Sequence, residues 1–341
     1  MNFIREHEIR LCNEFEYDKL VEFIKINWNK EHIFIKSKEL LDYQHLNIRN
    51  KNYNFIVACN KITGKFDAIL GFIPLSQYDE KLCNGDFWLA LWKVDDRYAK
   101  TGIGLEVLSY FIKLFNPKSF SAIGITKKAE LIYKMLRYKI ITLQHFYIAS
   151  SSVKDFKIAS FCKQIKNIKI KKSDLFCKKV DIIDLYKFKN IKRNTPQKSI
   201  DYIINRYINH PVYKYHINGF YRDLNCISLF VYRVINVNNS TCLRIVDWFG
   251  DFIEDSDFLF QDLLKQYNAE YIDLLCYMED YDKIIKMGFD IKTEEDIIPN
   301  YFEPFKKENV EIKAFYKNSS DCYAIFKGDS DQDRPNLLKE I

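Results

Sequence analysis

Tyr17, Leu20, Val21, Ile24 and Trp28 recur at three- and four-residue steps, a spacing that predicts an amphipathic helix over 16–28. Asp18 falls in its first turn, where the positive end of the helix dipole favours an acid. A shorter helix is expected over 37–45. Strands follow at 53–59 and 66–73, joined by the turn Asn60-Lys-Ile-Thr-Gly64 and closed by Pro74. The apolar run at 87–94 reads as a buried strand. Gly102 then opens a helix carried by Ile103, Leu105, Leu108, Phe111, Ile112 and Phe115. After the loop Asn116-Pro-Lys-Ser119, the pattern gives a strand at 119–125, a helix at 128–136 and a terminal strand at 138–147. Strands and helices in this order predict an α/β (α+β mixed sheet) fold for the first 150 residues.

The later chain repeats the order. A strand is expected at 181–186 and a helix at 199–207, before a loop beginning at His210-Pro211. Strand 241–247, helix 257–267, strand 269–277 and helix 280–287 then follow, ending at Gly288-Phe289. Setting Tyr138 on Phe289, an offset of 151 residues, brings Val94 onto Ile245 and Asp96 onto Asp247, which predicts a tandem repeat. The expected organisation is a first domain at 1–150, a basic linker with the start of a second domain at 151–198, and a second domain at 199–341. The glycines do not repeat. Gly102 falls on Ile253 and Gly104 on Asp255, inside the acidic turn Asp251-Phe-Ile-Glu-Asp255-Ser-Asp257. Acids there repel phosphate, so the second copy reads as degenerate and as a platform for substrate.

Composition sharpens this picture. The 341 residues exceed one ordinary core, and 48% hydrophobic with 16% aromatic content supports more than one. Net charge is +6, but 151–200 alone holds 13 Lys, one Arg and four Asp, so the rest of the chain is acidic. That distribution argues against a nucleic-acid binder and reads as a solvated face, or a docking surface for an acidic partner. Nine scattered cysteines without Cys-x-x-Cys, no apolar run of signal-peptide or membrane-span length, and no zinc spacing among six histidines point to a cytoplasmic protein with no metal. Asp329, Asp331, Asp333 and Glu340 match positions of a calcium loop, but Arg334 stands where glycine is needed and Pro335 follows, which argues against calcium.

A strand, a glycine turn and a helix start together make a phosphate cradle, here Lys100, Thr101, Gly102, Ile103 and Gly104. The turn and its flanks resemble the GNAT (GCN5-related) N-acetyltransferase superfamily. The family pattern Gln/Arg-x-x-Gly-x-Gly/Ala stands here as Ala99-Lys-Thr-Gly102-Ile-Gly104, with Ala99 in the first place and Arg97 nearby. The resemblance implies tandem GNAT-like domains, the second degenerate. It implies that backbone N–H groups of this turn hold the pyrophosphate of acetyl-CoA or another acyl-CoA, for which Ala99 is no obstacle. It also implies a splayed strand at 91–94 that pairs with the pantetheine arm, with an N–H near Val94 facing the oxyanion. The family pattern Ala-x-x-x-Tyr-x-x-x-Gly-Phe/Tyr is similar to Ala129-Glu-Leu-Ile-Tyr133-Lys-Met-Leu-Arg137-Tyr138, with Arg137 in place of glycine. On that match Tyr133 protonates the leaving thiolate, and the second copy carries Ile284 instead.

Three further stretches, Leu70-Gly-Phe-Ile-Pro74, Asp86-Phe-Trp-Leu-Ala-Leu-Trp-Lys-Val94 and Lys327-Gly-Asp-Ser-Asp-Gln-Asp-Arg-Pro-Asn336, resemble double-domain acyltransferases of bacterial surface-polysaccharide clusters. That resemblance implies an acetyl or short hydroxyacyl group moved to the amino group of a nucleotide-linked deoxyamino sugar, in lipopolysaccharide biosynthesis. It also keeps an acidic acyl carrier protein open as donor. The acceptor ammonium must lose a proton, and Asp86 and His145 are the candidate bases. Arg206 and Arg334 are candidates for the diphosphate, His210 is a further candidate substrate contact, and Tyr215, Tyr301 and Phe302 are candidates for stacking on base or sugar. Two rival readings stand beside this one. A FemABX-type aminoacyl transferase predicts a weak coenzyme A turn and a basic groove over 154–193. A non-enzymatic nucleotide-sugar-binding module predicts no thiol release.

Overall fold

The structure is a computed structural model and describes residues 6–83, 85–163, 174–189, 195–318, 322–333 and 335. In chain order the first half runs β1 (His7–Asn13), α1 (Tyr17–Asn27), α2 (Ile33–Lys36), α3 (Lys38–His45), β2 (Leu46–Asn47), β3 (Asn52–Asn60), β4 (Phe66–Pro74), β5 (Asp86–Val94), α4 (Ile103–Phe115), β6 (Ser119–Ile123), α5 (Lys127–Met135) and β7 (Lys139–Thr142). Then come β8 (Gln144–Ala149), β9 (Leu175–Lys179), α6 (Ile182–Lys187), α7 (Ile200–Ile203, continued by a π-helical turn over Ile204–Ile208), β10 (His216–Arg222), β11 (Asn225–Val237) and β12 (Ser240–Gly250). The chain closes with α8 (Asp257–Tyr267), β13 (Ala269–Tyr277), α9 (Asp282–Lys286), β14 (Asp290–Ile291), β15 (Lys313–Lys317) and β16 (Ile325–Phe326).

Two mixed sheets result. One has the order β1-β3-β4-β5-β6-β15-β7 with β2 on β3, and the other β14-β8-β13-β12-β11-β10-β9 with β16 on β13. This is the α/β mixed-sheet fold in tandem that the patterning predicts. The sheets exchange strands. β8, from the first 150 residues, pairs with β13 in the second sheet, and β15, from the last 30, sits between β6 and β7 in the first. The expected single strand at 138–147 is therefore two strands that part at Leu143 and enter different sheets. The expected strand at 181–186 is α6, started by Asp181, whose side chain takes the Asp184 N–H. Between the sheets one apolar cluster joins Ile73, Trp88 and Ile123 to Val231, Val246 and Leu275, so the halves share a core. Among the described residues no helix is long and apolar enough to cross a membrane.

The repeat is visible in local geometry. Helix α5 ends with Arg137 at φ 61° and hydrogen bonds from Tyr138 N–H to the Tyr133 carbonyl and from Arg137 N–H to the Lys134 carbonyl, both 3.0 Å. Helix α9 ends the same way, with Gly288 at φ 110° and bonds from Phe289 to Ile284 and from Gly288 to Ile285. Both are left-handed caps that reverse the chain. Helices α4 and α8 each end on an asparagine in the same left-handed region, Asn116 and Asn268.

Candidate active site in the first wedge

The site begins with a defect in β5. Trp92 pairs with Leu70 and Leu89 with Phe72, so two residues, Ala90 and Leu91, oppose the single Gly71. Such a bulge bends a strand and frees its backbone groups. Beyond it β5 leaves its parallel neighbour: only Asp86, Phe87 and Trp88 pair with β6, against Ser119, Phe120 and Ser121. The rest of β5 opens a wedge. Ala90 and Leu91 on one side, and Ile123 and Gly124 on the other, line a cavity of about 320 Å³ at its mouth. The splayed strand is where the resemblance puts it, but the bulge moves the point facing the cavity from Val94 to Ala90–Leu91.

Val94 instead packs against the glycine turn. A Cβ added to Gly104 would lie 2.9 Å from Val94 Cγ2, so a side chain here displaces the strand. Gly102 caps α4 at φ 88°, a left-handed conformation that suits glycine. Thr101 Oγ donates to the Tyr98 carbonyl at 2.8 Å and accepts the Ile103 N–H at 3.4 Å. Among the described residues no acceptor takes the Gly102 or Gly104 N–H, and Lys100 and Gly102 are exposed. Open N–H groups at the positive end of a 13-residue helix fit a pyrophosphate. Arg97, beside this turn, is exposed and makes two bonds to Asp95, at 2.9 and 2.7 Å.

The second copy has the same strand defect with a smaller opening, a cavity of about 220 Å³ between Trp248–Gly250 and Met278–Asp280 that Phe326 of the tail also lines. Val231 pairs with Asp247 and Tyr232 with Ile245, leaving Val246 as a bulge on β12. The chain's own tail then fills that wedge: β16 pairs with β13, and Gly328 N–H donates to the Val246 carbonyl at 2.8 Å. At the start of α8 the Phe258 N–H is taken by Asp257 Oδ1 at 3.0 Å and the Asp255 N–H by the Lys286 carbonyl at 2.8 Å. Two of the turn's donors are taken by the chain and acids surround it, which disfavours phosphate there.

Tyr133, on α5, is buried between Trp92 at 5.4 Å and Phe315 at 3.7 Å, measured between ring centroids. It therefore stands against the outer end of the splayed strand, and it is not among the described residues that line the cavity. Burial drives its phenol well above the ordinary range, so it keeps its proton at any working pH. Asp86 is misplaced for a base. It lies at the closed end of the wedge, bonded by Ser119 Oγ, roughly 16 Å along the strand from Leu91 at ~3.3 Å per residue. His145 lies on β8 and bonds Asp273 Oδ2 at 2.9 Å; Asp273 in turn holds Arg244 at 3.0 and 2.6 Å. Among the described residues His145 does not line the cavity, and burial lowers its pKa, so it supports the fold behind Arg244.

The expected diphosphate and stacking residues divide in the same way. Arg206 is buried and spent on the tail, at 3.2 Å from the Gly328 carbonyl and 2.9 Å from Asp333 Oδ1. Tyr215 also donates to Asp333. His210 Nδ1 accepts the Val212 and Tyr213 N–H groups at 3.1 and 2.9 Å, and burial beside Arg206 takes it down to about 2, which makes it a loop organiser. Of this set Tyr301 and Phe302 line the cavity. Arg334 lies outside the described residues. The tail acids that mimic a calcium loop are paired with cations: Asp329 with Lys198 and Asp333 with Arg206.

Sequence reasoning missed Arg233, Arg244 and Lys327, which line the cavity from β11, β12 and the tail. Arg244 carried a signal. It interrupts an apolar strand, as Asp273 interrupts the next one, and the two face each other in the parallel register. Opposite charges at matching places in two buried strands read as a pair. Lys327 was legible only as the start of the tail motif.

No family model matches the chain, and no curated protein matches it in sequence. Solved structures match its fold. A GCN5-related N-acetyltransferase from Anabaena variabilis aligns with a TM-score of 0.54 at 10% identity, covering 91% of this chain and 72% of that one. A GCN5-related N-acetyltransferase from Kribbella flavida aligns at 0.50 with 9% identity, covering 92% and 71%. At such identities the likeness is one of fold, and it spans both halves.

Proposed function

We propose that the protein is an acyl-CoA-dependent N-acyltransferase that works in the first wedge alone. One observation carries this reading. The bulged, splayed β5 opens onto a cavity at Ala90–Leu91, and the same strand runs on to the Gly102–Gly104 turn, whose N–H groups are open. The pyrophosphate of coenzyme A fits that turn, and the pantetheine arm fits the unpaired edge of β5, so the thioester arrives at the bulge. A freed N–H of the bulge then faces the developing oxyanion, and Tyr133 supplies the proton that the thiolate needs. Holding thioester and amine together in the cavity accounts for ~7–11 kcal/mol of barrier lowering.

The acceptor we propose is an amino sugar, in nucleotide-linked form. A second cavity, which shares Asn29, Arg233 and Phe302 with the first, runs along the β11–β12 hairpin past Asn236, Asn238, Asn239 and Thr241. Amides, a hydroxyl and an aromatic face suit the hydroxyls and apolar faces of a sugar ring. Coenzyme A is favoured over an acyl carrier protein because the turn is built for pyrophosphate, and the same turn disfavours the aminoacyl-tRNA reading.

The test is calorimetric binding of acetyl-CoA to the wild type and to Gly104→Trp, followed by free-thiol release with a panel of nucleotide-linked amino sugars. The wild type is expected to bind and Gly104→Trp to lose binding while still melting cooperatively. No binding to the wild type removes the reading; binding without thiol release against any amine leaves a binding module.

A further inference from the structure

The cavity at the bulge holds a buried amine with no hydrogen-bond partner among the described residues. Lys327 supplies it, leaving β16 between the two wedges with its Nζ buried. It lines the same cavity as Ala90 and Leu91. An unpartnered buried amine is costly to a fold, whereas a fold-serving lysine is paired. Lys198 is the comparison in the same molecule: equally buried, it sits 2.7 Å from Asp247 and 2.6 Å from Asp329. The cavity's other cations are occupied. Arg244 holds Asp273 and the Pro299 and Asn300 carbonyls, and Arg233 donates to the Asp333 carbonyl at 2.6 Å.

We propose that Lys327 is the general base that deprotonates the acceptor ammonium at the bulge. The proposal rests on the acyl-transfer reading above. Neutral Lys327 takes one proton from the ammonium and becomes an ammonium itself. The freed nitrogen lone pair attacks the thioester carbon, the C–S bond breaks, and the electron pair leaves on sulfur. The remaining surplus N–H proton reaches that sulfur by way of Tyr133, and Lys327 returns its proton to water. Amide, thiol and one released proton are the products. The surroundings poise the lysine for this. Burial, Arg244 on β12 and Arg233 on β11 disfavour its charge, and Asp273 on β13 and Asp333 in the tail favour it, which leaves it at about 7. Asp331, Glu303 and His32 also line the cavity, and the Tyr301 ring lies 5.6 Å from Nζ.

Two readouts test the base. The first is thermal melting of the wild type and Lys327→Met from about pH 6 to about pH 10. Folding lowers the lysine's pKa, so its charge opposes the fold below about 7, and the cost fades toward the ordinary lysine value near 10.4. Lys327→Met is expected to melt above the wild type at about pH 6, with the gap closing toward pH 10. The second is the pH profile of kcat/KM for thiol release from acetyl-CoA, using whichever panel amine the wild type acylates. The wild type is expected to rise with pH to a plateau above about 7, and Lys327→Met and Lys327→Arg to lose about 10²-fold or more and the limb itself, with acetyl-CoA binding unchanged. A melting gap that ignores pH, or a wild-type profile in Lys327→Met, overturns the base while leaving acyl transfer standing. A wild type that binds no acetyl-CoA overturns both.

Discussion

At the scale of single residues, burial raises both a phenol and a carboxyl, but only the carboxyl has partners that reverse the shift. Tyr133 is pushed up and stays protonated, as a proton donor to a thiolate needs. Tyr133→Phe is expected to lower kcat by about 10²-fold with an unchanged melting temperature, read by thiol release; an unchanged kcat removes the role. Burial pushes Asp273 up too, but the Arg244 guanidinium and the His145 hydrogen bond outweigh it, and its carboxyl sits at about 2. A carboxyl lowered by folding stabilises above its unfolded value of about 3.9 and loses that contribution as pH falls through about 2. Asp273→Asn strands Arg244, so urea unfolding is expected to show about 3–5 kcal/mol lost at pH 7, with a smaller deficit near pH 2. The Arg244–Asp273 pair could be read from sequence, because each charge breaks an apolar strand. Asp86 misled for the same reason that it is buried. A carboxyl at a strand start resembles a catalytic one until the pairing shows which end of the wedge it occupies.

At the scale of elements, hydrophobic patterning located most helices and strands but not how they pair. The apolar run over 138–147 gives no sign of its break, since β7 and β8 are both sheet strands and differ only in which sheet they join. The bulge at Ala90–Leu91 is equally silent, because an extra residue shows only against its partner strand. The tail was hardest of all. Its acids look like metal ligands in isolation, whereas Lys198 and Arg206, more than 100 residues away, are their partners. A Cβ on Gly328 would stand 2.6 Å from the Val246 carbonyl and 2.9 Å from the Tyr207 hydroxyl. Gly328→Val is therefore expected to push the tail out of the second wedge. Its cost is about 1–3 kcal/mol, seen as a lower melting temperature and faster proteolytic trimming of the C-terminal segment. Unchanged trimming would separate the tail from the closure of that wedge.

At the scale of the whole molecule, one fold was written twice and the copies diverged at the wedge and its turn. The 151-residue offset holds at the ends of α5 and α9, where Arg137 matches Gly288. It drifts in the wedge strands, where the bulge at Leu91 matches the bulge at Val246 rather than Cys242, which the offset assigns to Leu91. Sequence alone reached the duplication and the loss of the second glycine turn. It did not reach the tail, which plugs the second wedge and carries Lys327 into the first. The most direct test is the stoichiometry of acetyl-CoA binding by calorimetry on the intact chain. The account predicts one molecule per chain, abolished by Gly104→Trp. Two molecules per chain, or one that survives Gly104→Trp, would contradict it.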